Sequence, residues 1–314
     1  MIGVVTVTFN AGEFLQPFMT CCLAQQPSDF ALLVIDNASR DDSVSLAKVS
    51  CDARVTVVRN ASNVGYAEAC NQGLRHFEAL GVEHVLFINN DTEFGPTLFA
   101  SIVKALERHG ADAVTPRITH FDDPSKDWYS GGRFVLWKGF QGEHSRQRGT
   151  QRAVQRPSWT EVAPGCCVLF TMDTFRRVGL FDPAYFVYVE DTDLFLRMQR
   201  AGLRLLYAPE VAIAHKISLS TGGPQSDFTI RYHQRNQIYA VRKHYSNLTV
   251  IGQVVLLSLK IGLRRLLGMD NSRQCLMRFR ALREGLRLEI PRKNPRLDRT
   301  PLGRDGDLEA EARG

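Results

Sequence analysis

The sequence lacks the markers of a membrane-spanning or secreted protein. It contains no uncharged apolar run of the roughly 18 residues that a membrane-spanning helix needs. The closest stretch, 248–259, is interrupted by Thr249, Gln253 and Ser258. Its first residues, MIGVVTVTFN, have neither the basic segment nor the long apolar core of a secretory signal. We therefore expect a cytoplasmic protein without a transmembrane helix.

Two common cofactor signatures are also absent. The seven cysteines show no CxxC or Cys/His spacing of a zinc site, and reduced cytosolic thiols are the simplest interpretation of an odd number. The first apolar run ends in Thr8-Phe9-Asn10-Ala11-Gly12, which is not the GxGxxG turn of dinucleotide-binding enzymes. This argues against a nicotinamide-dependent oxidoreductase.

Acidic residues are scarce in the C-terminal quarter. The 314-residue chain has a net charge of +6, but residues 229–299 hold 16 Lys and Arg against 4 Asp and Glu, whereas residues 1–228 carry a net −4. This asymmetry indicates an anionic partner, either a membrane surface or a nucleic acid. Because the basic residues alternate with Leu, Ile, Val and Met at helical spacing, a membrane-surface helix fits better than a nucleic-acid-binding protein, which is the alternative of a different class.

Short apolar runs alternate with helical patterns through the first 120 residues. The runs predict strands at 2–9, 31–35, 54–58 and 84–88, and the patterns predict helices at 14–24, 41–49, 63–80 and 97–110. Gly110 is a plausible C-terminal cap of the last of these helices. Buried strands separated by helices predict an α/β fold with a mainly parallel sheet.

Polar residues follow each of the four predicted strands. Although Asn and Asp are common in turns, ligands of parallel sheets bind beyond the carboxyl ends of the strands. Four consecutive strands that deliver such residues to one edge therefore favour a nucleotide-type site. The residues concerned are Thr8 and Asn10, Asp36 and Asn37, Asn60 and Asn63, and Asn89, Asn90 and Asp91.

The rest of the chain divides into four parts. Residues 121–160 are polar and rich in Gly and Arg, which predicts a long, mobile loop or hairpin. Ordered structure returns in 161–224, with strands at 161–170, 203–207 and 212–215 and a short helix at 172–178. Residues 225–290 form a basic amphipathic helical region, and the Pro- and Arg-rich segment 291–314 is expected to be disordered.

An acidic cluster and one histidine add candidate chemistry to the second half. Glu190, Asp191 and Asp193 lie at the start of a predicted helix, where the helix dipole partly offsets their mutual repulsion. A carboxylate beside the aromatic stretch 181–186 can act as a general base. Asp91 at a strand end can bind Mg²⁺ or Mn²⁺, although Asp91 alone is a weak signal, and a lone histidine such as His215 is more often structural.

The combination of these motifs resembles family-2 glycosyltransferases of the GT-A fold. Across residues 1–220 the resemblance is greatest to the bacterial rhamnosyltransferase-like and galactofuranosyltransferase-like branch. It rests on the order and spacing of Thr8-Phe9-Asn10, Asp36-Asn37, Asn63-Val64-Gly65, Asn89-Asn90-Asp91, Gly179-Leu180-Phe181-Asp182, Glu190-Asp191-Thr192-Asp193-Leu194 and His215.

The resemblance implies a fold and a role for each matching residue. It implies a Rossmann-like nucleotide half at 1–120 and an acceptor-binding and catalytic half at 161–224, together forming a catalytic domain at 1–224 that is followed by C-terminal helices. Asp191 would be the general base with Glu190 beside it, and Asp91 and His215 would hold Mg²⁺ or Mn²⁺. Asp36 would bind a uracil or thymine base. The nucleotide-sugar pocket would be formed by Thr8, Asn10, Asp36, Asn37, Asn63, Gly65, Asn89 and Asn90, with Asn89 replacing the first acid of the family's Asp-x-Asp motif.

The implied reaction is an inverting transfer of sugar from a nucleoside diphosphate. The resembling branch suggests dTDP-rhamnose as the donor, with UDP-linked galactofuranose, glucose or N-acetylhexosamine as the alternative. The acceptor would be a lipid-linked or polysaccharide intermediate of the bacterial envelope. Peripheral contact of the basic region with an anionic membrane would place the enzyme near such an acceptor. An inactive sugar-nucleotide-binding protein fits less well, because Asp91, Asp191 and His215 occur together.

Overall fold

The N-terminal half of the sheet consists of four parallel strands that match the predicted apolar runs. The computed structural model describes residues 1–43, 45, 52–135, 141–144, 156–216, 225–291 and 293–297. The four strands are β1 (Ile2–Thr8), β2 (Phe30–Asp36), β3 (Val55–Arg59) and β4 (His84–Ile88). Their order is β4-β1-β2-β3, and Thr8 lies opposite Asp36, so the polar residues that follow the strands meet at one edge.

Three helices connect these strands to the rest of the sheet. They are α1 (Gly12–Leu23), α2 (Tyr66–Ala79) and α3 (Leu98–His109), the last capped by Gly110 in the left-handed conformation, as predicted. The α2 helix lies directly on β1 because Gly73 has no side chain. A Cβ at this position would come within 2.7 Å of Val5. The predicted helix at 41–49 falls largely outside the described residues.

The second half of the sheet is mixed. Together with the parallel first half, it gives the mostly parallel sheet that the resemblance to GT-A glycosyltransferases predicts. Strand β11 (Cys167–Thr171) runs antiparallel between β4 and β6 (Ala113–His120). The long strand β12 (Leu205–His215) runs parallel to β6 and also pairs with β5 (Thr92–Phe94).

Two strand predictions in this half were wrong. The predicted strands 203–207 and 212–215 are one strand, interrupted only by an irregularity between Ala208 and Ala212. The predicted strand 161–170 begins only at Cys167, in β11, whereas residues 161–166 separate β11 from β10 (Ser158–Thr160) and include Pro164, which lacks the amide proton that a continuous ladder needs.

The polar stretch between the two halves contains a hairpin, one of the two alternatives that its composition left open. Strands β8 (Gly132–Val135) and β9 (Gln141–His144) pair antiparallel, and β7 (Asp127–Tyr129) pairs with the edge of β6. Residues 136–140 and 145–155 lie outside the described part.

Five helices complete the described structure. They are α4 (Met172–Val178), α5 (Glu190–Arg200), α6 (Asp227–His244), α7 (Asn247–Leu266) and α8 (Ser272–Arg287), the last three within the region predicted to be helical. Among the described residues, α7 is the one helix long and apolar enough to cross a membrane by length and composition, with 17% of the stretch buried. Our expectation of no membrane-spanning helix rested on an uninterrupted apolar run, whereas α7 meets a criterion that tolerates a few polar residues.

The start of the supposedly disordered C-terminal segment is ordered, which corrects our prediction for 291–314. The carbonyl of Pro295 accepts a hydrogen bond from the Leu180 amide at 2.8 Å, and Leu297 packs against the main core. Charge and proline content predicted disorder, but these two contacts anchor the segment to Leu180 and to the main core. Residues 298–314 lie outside the described part.

The crossing of α6 and α8 depends on Gly285. A Cβ at this position would overlap the carbonyl oxygen of Arg235 and come within 2.5 Å of Ile238 Cγ2. We expect Gly285→Ala to destabilise the protein by about 1–3 kcal/mol, because the helices must move apart. Gly252→Ala on α7 is the matched control, since nothing lies within 4 Å of its added Cβ and alanine favours a helix by about 1 kcal/mol. Urea unfolding of both variants measures this, and equal stabilities would contradict the prediction.

Candidate active site

One cavity of about 630 Å³ lies at the carboxyl ends of the parallel strands and extends to the start of α5. It contacts all three groups of residues that the sequence indicated: strand-end amides, the candidate metal ligands and the acidic cluster. The predicted site residues that line it are Asn37, Asn63, Gly65, Asn89, Asn90, Asp91, Glu190, Asp191 and His215.

The strand-end amides are joined in a hydrogen-bonded network. Asn60 donates to the Asn37 side chain at 2.8 Å, and Asn37 donates to the Gly65 carbonyl at 3.2 Å. Asn63 accepts from the Gly65 amide at 2.9 Å. Gly65 has φ of +86° and a Cβ there would come within 2.5 Å of the Phe186 ring, so only glycine fits this turn. The network fixes the loop that leads into α2.

Three predicted nucleotide residues lie beside the cavity without lining it. Thr8 and Asp36 are fully buried, and Asn10 bonds to the adjacent loop through Ser39 and Arg40. Oδ2 of Asp36 accepts from the Ser39 amide, whereas the buried Oδ1 has no hydrogen-bond partner in the described structure. Base recognition by Asp36 stays a prediction, to which this unsatisfied acceptor lends support.

Asp91 and His215 converge although they are far apart in sequence. Pairing of β5 with β12 places His215 opposite Thr92, and His215 Nε2 lies 3.2 Å from Asp91 Oδ1. The two groups are not aligned as a hydrogen bond, and Asp91 Oδ1 is buried without another partner. A carboxylate and an imidazole turned toward a common point fit a divalent cation that takes its remaining ligands from water or phosphate. The described residues contain no cluster of three or more protein ligands.

Asn89 supports the cavity wall rather than the Asp91–His215 pair. Its amide donates to the Cys166 carbonyl at 2.9 Å, and its side chain accepts from the Tyr66 hydroxyl at 3.2 Å. The asparagine at this position of the motif therefore joins the strand end to α2 and to the segment before β11.

Asp191 is oriented by backbone amides toward the cavity. Oδ2 accepts from the Gly165 amide at 3.0 Å, and Oδ1 accepts from the Thr192 amide at 2.6 Å. Burial raises the pKa of Asp191, while these hydrogen bonds oppose the rise. A fixed carboxylate of raised basicity that faces an open cavity is suited to accept a proton.

Glu190 lies deeper than Asp191 and faces an apolar environment. The residue is buried, and Oε2 has no hydrogen-bond partner in the described structure. Burial, and next the neighbouring charge of Asp191, raise the pKa of Glu190 well above its ordinary value. Of the two adjacent acids, Glu190 is therefore the one whose protonated form burial favours more strongly.

Asp193 is held as a carboxylate by cations from two helices. It contacts Arg197 at 2.8 Å, His244 at 2.6 Å and Lys243 at 3.0 Å. Burial alone would raise the pKa of Asp193, but Arg197, His244 and Lys243 lower it far below its ordinary range. Lys243 also contacts the buried Asp182 at 2.7 Å. This cluster ties α5 to α6.

The family model for glycosyl transferase family 2 matches residues 3–179, more than half of the chain. The chain belongs to glycosyltransferase family 2. The match ends before α5, so the acidic cluster and His215 lie outside the matched residues.

Two curated relatives of this family-2 glycosyltransferase are sugar transferases. An N-acetylglucosaminyl-diphospho-decaprenol L-rhamnosyltransferase of Mycobacterium tuberculosis is 26% identical over 78% of this chain and 85% of its own length. A galactofuranosyltransferase of Mycolicibacterium smegmatis is 24% identical over 65% of this chain and 67% of its own. These relatives match the branch that the motifs resemble.

A solved structure shares the fold. The crystal structure of GalNAc-T7 with UDP, GalNAc and Mn²⁺ superposes with a TM-score of 0.63 at 15% sequence identity, over 91% of this chain and 56% of that chain. At this identity the likeness shows the GT-A fold alone.

Several residues that line the cavity were missed by the sequence analysis, among them Trp128, Phe228 and His233. The Trp128 ring lies 4.9 Å from the His215 ring, centre to centre, and Phe228 and His233 reach the cavity from α6. Trp128 lies in the polar stretch that had no clear pattern. Phe228 and His233 belong to a region whose basic charge and helical spacing suggested a membrane surface instead.

Replacing Glu190 with Gln is expected to stabilise the protein at neutral pH. Because the folded-state pKa of Glu190 is raised, the folded protein binds the proton more tightly, and wild-type stability falls as pH rises from about 4.3 toward that pKa. The Gln variant lacks this loss, so its stability advantage should grow between pH 4 and pH 7. Thermal unfolding across that range measures the difference, and a constant difference would contradict a raised pKa.

Proposed function

We propose that this family-2 glycosyltransferase transfers rhamnose from dTDP-rhamnose, with inversion at the anomeric carbon, to a hydroxyl of a lipid-linked sugar in bacterial envelope synthesis. The observation that carries the proposal is the placement of Asp191 in the same cavity as the Asp91–His215 pair and the loop of Asn63 and Gly65. A single displacement needs a base, a pair of cation-binding side chains and a donor pocket around one space.

Asp191 takes the proton of the acceptor hydroxyl as that oxygen attacks the anomeric carbon. The amides of Gly165 and Thr192 fix the orientation of the carboxylate during this transfer. The bond from the anomeric carbon to the diphosphate breaks on the opposite face, and the nucleoside diphosphate leaves. Glu190 does not compete as a base, because burial favours its protonated form.

Asp91 and His215 are the residues that would hold Mg²⁺ or Mn²⁺. When bound, the cation neutralises negative charge that develops on the leaving diphosphate. Two protein ligands leave room for diphosphate oxygens and water, as hard cations at nucleotide sites prefer. The buried, unsatisfied Asp91 Oδ1 supports this assignment.

The choice of rhamnose rests on the curated rhamnosyltransferase, which aligns with more of this chain than the galactofuranosyltransferase does. Recognition of a base N3–H by Asp36 suits dTDP and UDP equally, so UDP-galactofuranose is the main alternative. The name of the rhamnosyltransferase indicates a sugar on a polyprenyl diphosphate as the acceptor class.

A screen of nucleotide sugars for slow hydrolysis tests the donor assignment. We expect release of dTDP from dTDP-rhamnose to exceed release of UDP from UDP-galactofuranose, and to be lost with EDTA and restored by Mn²⁺. Faster release from the UDP-sugar would replace the proposed donor. No release from any nucleotide sugar would contradict the proposed function.

Asp191→Asn is expected to lower the kcat for transfer by about 10²–10⁴-fold, because the amide cannot accept the proton. Affinity for dTDP, measured by titration calorimetry, should stay within about twofold of wild type. Asp173→Asn is the matched control, since Asp173 is an exposed acid in the first turn of α4, outside the cavity. Turnover near wild type in Asp191→Asn would remove the base assignment.

We further propose that α7 lies on the inner face of an anionic membrane. Its exposed side chains form one apolar stripe, in which residues recur every three or four positions along the helix: Leu248, Ile251, Val255, Leu259, Leu263 and Leu266. The opposite face, which includes Leu257 and Ile261, packs in a small core with α6 and α8. An amphipathic helix of this kind fits the surface of a bilayer.

Basic residues around α7 would strengthen this contact. Arg265 in its last turn is exposed, and Arg280 and Arg283 of α8 are exposed as well. A basic residue near an anionic surface contributes about 1 kcal/mol, less at high salt. Such a location would bring the cavity near a lipid-linked acceptor.

Replacing Leu259 and Leu263 together with Gln is expected to abolish most flotation with phosphatidylglycerol-containing vesicles. The stripe loses its central apolar surface, while the buried face of α7 is unchanged. Leu80→Gln, an exposed leucine after α2, is the control and should float as wild type.

Two outcomes would contradict this location. Flotation of the double variant at the wild-type level would remove the membrane role of α7, as would salt-sensitive binding to DNA without binding to vesicles. Wild-type protein that resists extraction by alkaline carbonate would indicate a spanning helix instead of a peripheral one.

A further inference from the structure

The segment directly before the acidic cluster has a strained backbone. Phe186, Tyr188 and Val189 have φ values of +65°, +67° and +73°, in the left-handed region that non-glycine residues rarely adopt. Such conformations are unfavourable for non-glycine residues, and clusters of them are found mainly at functional sites. The strain immediately precedes Glu190 and Asp191.

This segment connects the loop of Asn63 and Gly65, before α2, to the candidate base Asp191. The Phe186 carbonyl accepts hydrogen bonds from the amides of Tyr66, at 2.6 Å, and Ala67, at 3.2 Å. These amides belong to the first turn of α2, which lacks a side-chain cap. The Phe186 ring also fills the space that a side chain at Gly65 would occupy.

Helix α6 holds the segment in its strained form. Asn236 is fully buried, and its Nδ2 lies 2.8, 2.7 and 2.8 Å from the carbonyl oxygens of Tyr185, Val187 and Tyr188. Arg235 adds a hydrogen bond to the Ala184 carbonyl at 2.7 Å. Buried donors matched to this many carbonyls over-determine the conformation and offset its strain.

The strained segment and α6 together form an aromatic surface, defined here as Phe186, Tyr188, Phe228 and Tyr232. Phe186 stacks on Tyr232 with ring centres 5.0 Å apart, and Phe228 lies 4.7 Å from Tyr232 and 6.5 Å from Tyr188. Three of the four, all but Tyr232, line the cavity that contains Asp191. Phe228 is 40% exposed, so part of its ring is accessible from the cavity.

The chemistry of this surface suits a sugar ring. A pyranose has C–H groups that pack on aromatic faces, and hydroxyls that need polar partners at the edge. The Tyr188 hydroxyl and the Thr229 hydroxyl, 3.3 Å apart, supply such partners beside Phe228. Within the described residues, Arg231 and Arg235 lie over the Tyr232 ring, but Arg231 pairs with Glu284 and Arg235 is already bonded to backbone carbonyls. This favours a neutral ligand over a phosphate.

We propose that the aromatic surface is the acceptor subsite, where a neutral sugar ring packs on Phe228 and presents its hydroxyl to Asp191, and that Asn236 is the positioning residue that holds it. The inference rests on the proposed function and extends it, because it makes α6 part of the catalytic unit and names the sugar ring as the group recognised.

Phe228→Ala tests the contact with a water-soluble acceptor, N-acetylglucosaminyl diphosphate on a short lipid chain. We expect the acceptor KM to rise about tenfold while dTDP affinity, measured by calorimetry, stays unchanged. Phe279→Ala on α8 is the matched control, since Phe279 is 45% exposed and does not line the cavity, and its acceptor KM should equal that of wild type. An unchanged acceptor KM in Phe228→Ala would overturn the subsite.

Asn236→Asp tests the positioning role. The carboxylate keeps the shape of the amide but places an acceptor against three carbonyls, so we expect kcat for transfer to fall at least as far as in Asn236→Ala, by tenfold or more. If Asn236 only filled space, the isosteric Asp variant would be the milder one, and that ranking would overturn the role. Arg242→Ala controls for loosening of the helices, because Arg242 donates to the Gly285 and Leu288 carbonyls of α8 at 2.8 and 2.9 Å without touching the segment.

The two proposals fail in distinguishable ways. Wild-type protein that releases no nucleoside diphosphate from any nucleotide sugar would remove the proposed function. Wild-type transfer with an unaffected Phe228→Ala variant would remove the acceptor subsite alone. If the Asn236 variants do not fold, the Phe228 result still decides the subsite.

Discussion

Three carboxylates at the start of α5 impose the constraint on which the site depends. Glu190, Asp191 and Asp193 would repel one another if all were charged and unpaired. The fold gives each a different environment: Glu190 is buried without a partner, Asp191 is bonded to backbone amides, and Asp193 is surrounded by cations. Only one of the three is left as an oriented carboxylate that faces the cavity. This division of one acidic cluster into distinct roles is what makes a general base possible here.

The same constraint explains why the C-terminal helices cannot be an independent appendage. Two of the residues that hold Asp193, Lys243 and His244, come from the end of α6, and Asn236 of the same helix fixes the strained segment. Part of the basic excess of the C-terminal quarter is therefore used inside the protein. Arg264 and Arg278 likewise pair with the buried Asp270. Because Lys243 pairs with Asp182 and Asp193, which lie outside residues 229–299, the excess of 16 basic over 4 acidic residues in that range overstates the charge that an anionic surface would meet.

The sequence predicted local features well and long-range ones poorly. Continuous apolar runs and turn residues located the parallel strands β1 to β4, since both signals act within a few residues. The polar residues at the strand ends were placed correctly at one edge because parallel strands share that edge. By contrast, Trp128, Phe228 and Asn236 reach the site through packing between elements far apart in sequence, for which no spacing rule exists. The charge pattern of α6 even indicated a membrane surface instead. A buried Asn and an exposed Phe are compatible with many kinds of helix, so neither residue identified the site.

The Asp91–His215 pair shows that the fold can determine a site that the pattern of residues does not predict. Asp91 follows β4, a strand that its apolar run predicts, but His215 becomes its neighbour only because the short strand β5 pairs with the end of β12. A shift of one residue in this pairing would turn His215 to the other face of the sheet. The irregularity between Ala208 and Ala212 lies in the same strand and shifts its register against β6 before His215 is reached. The geometry of the proposed metal site is therefore set by strand register, a property that the residues Asp and His do not themselves encode.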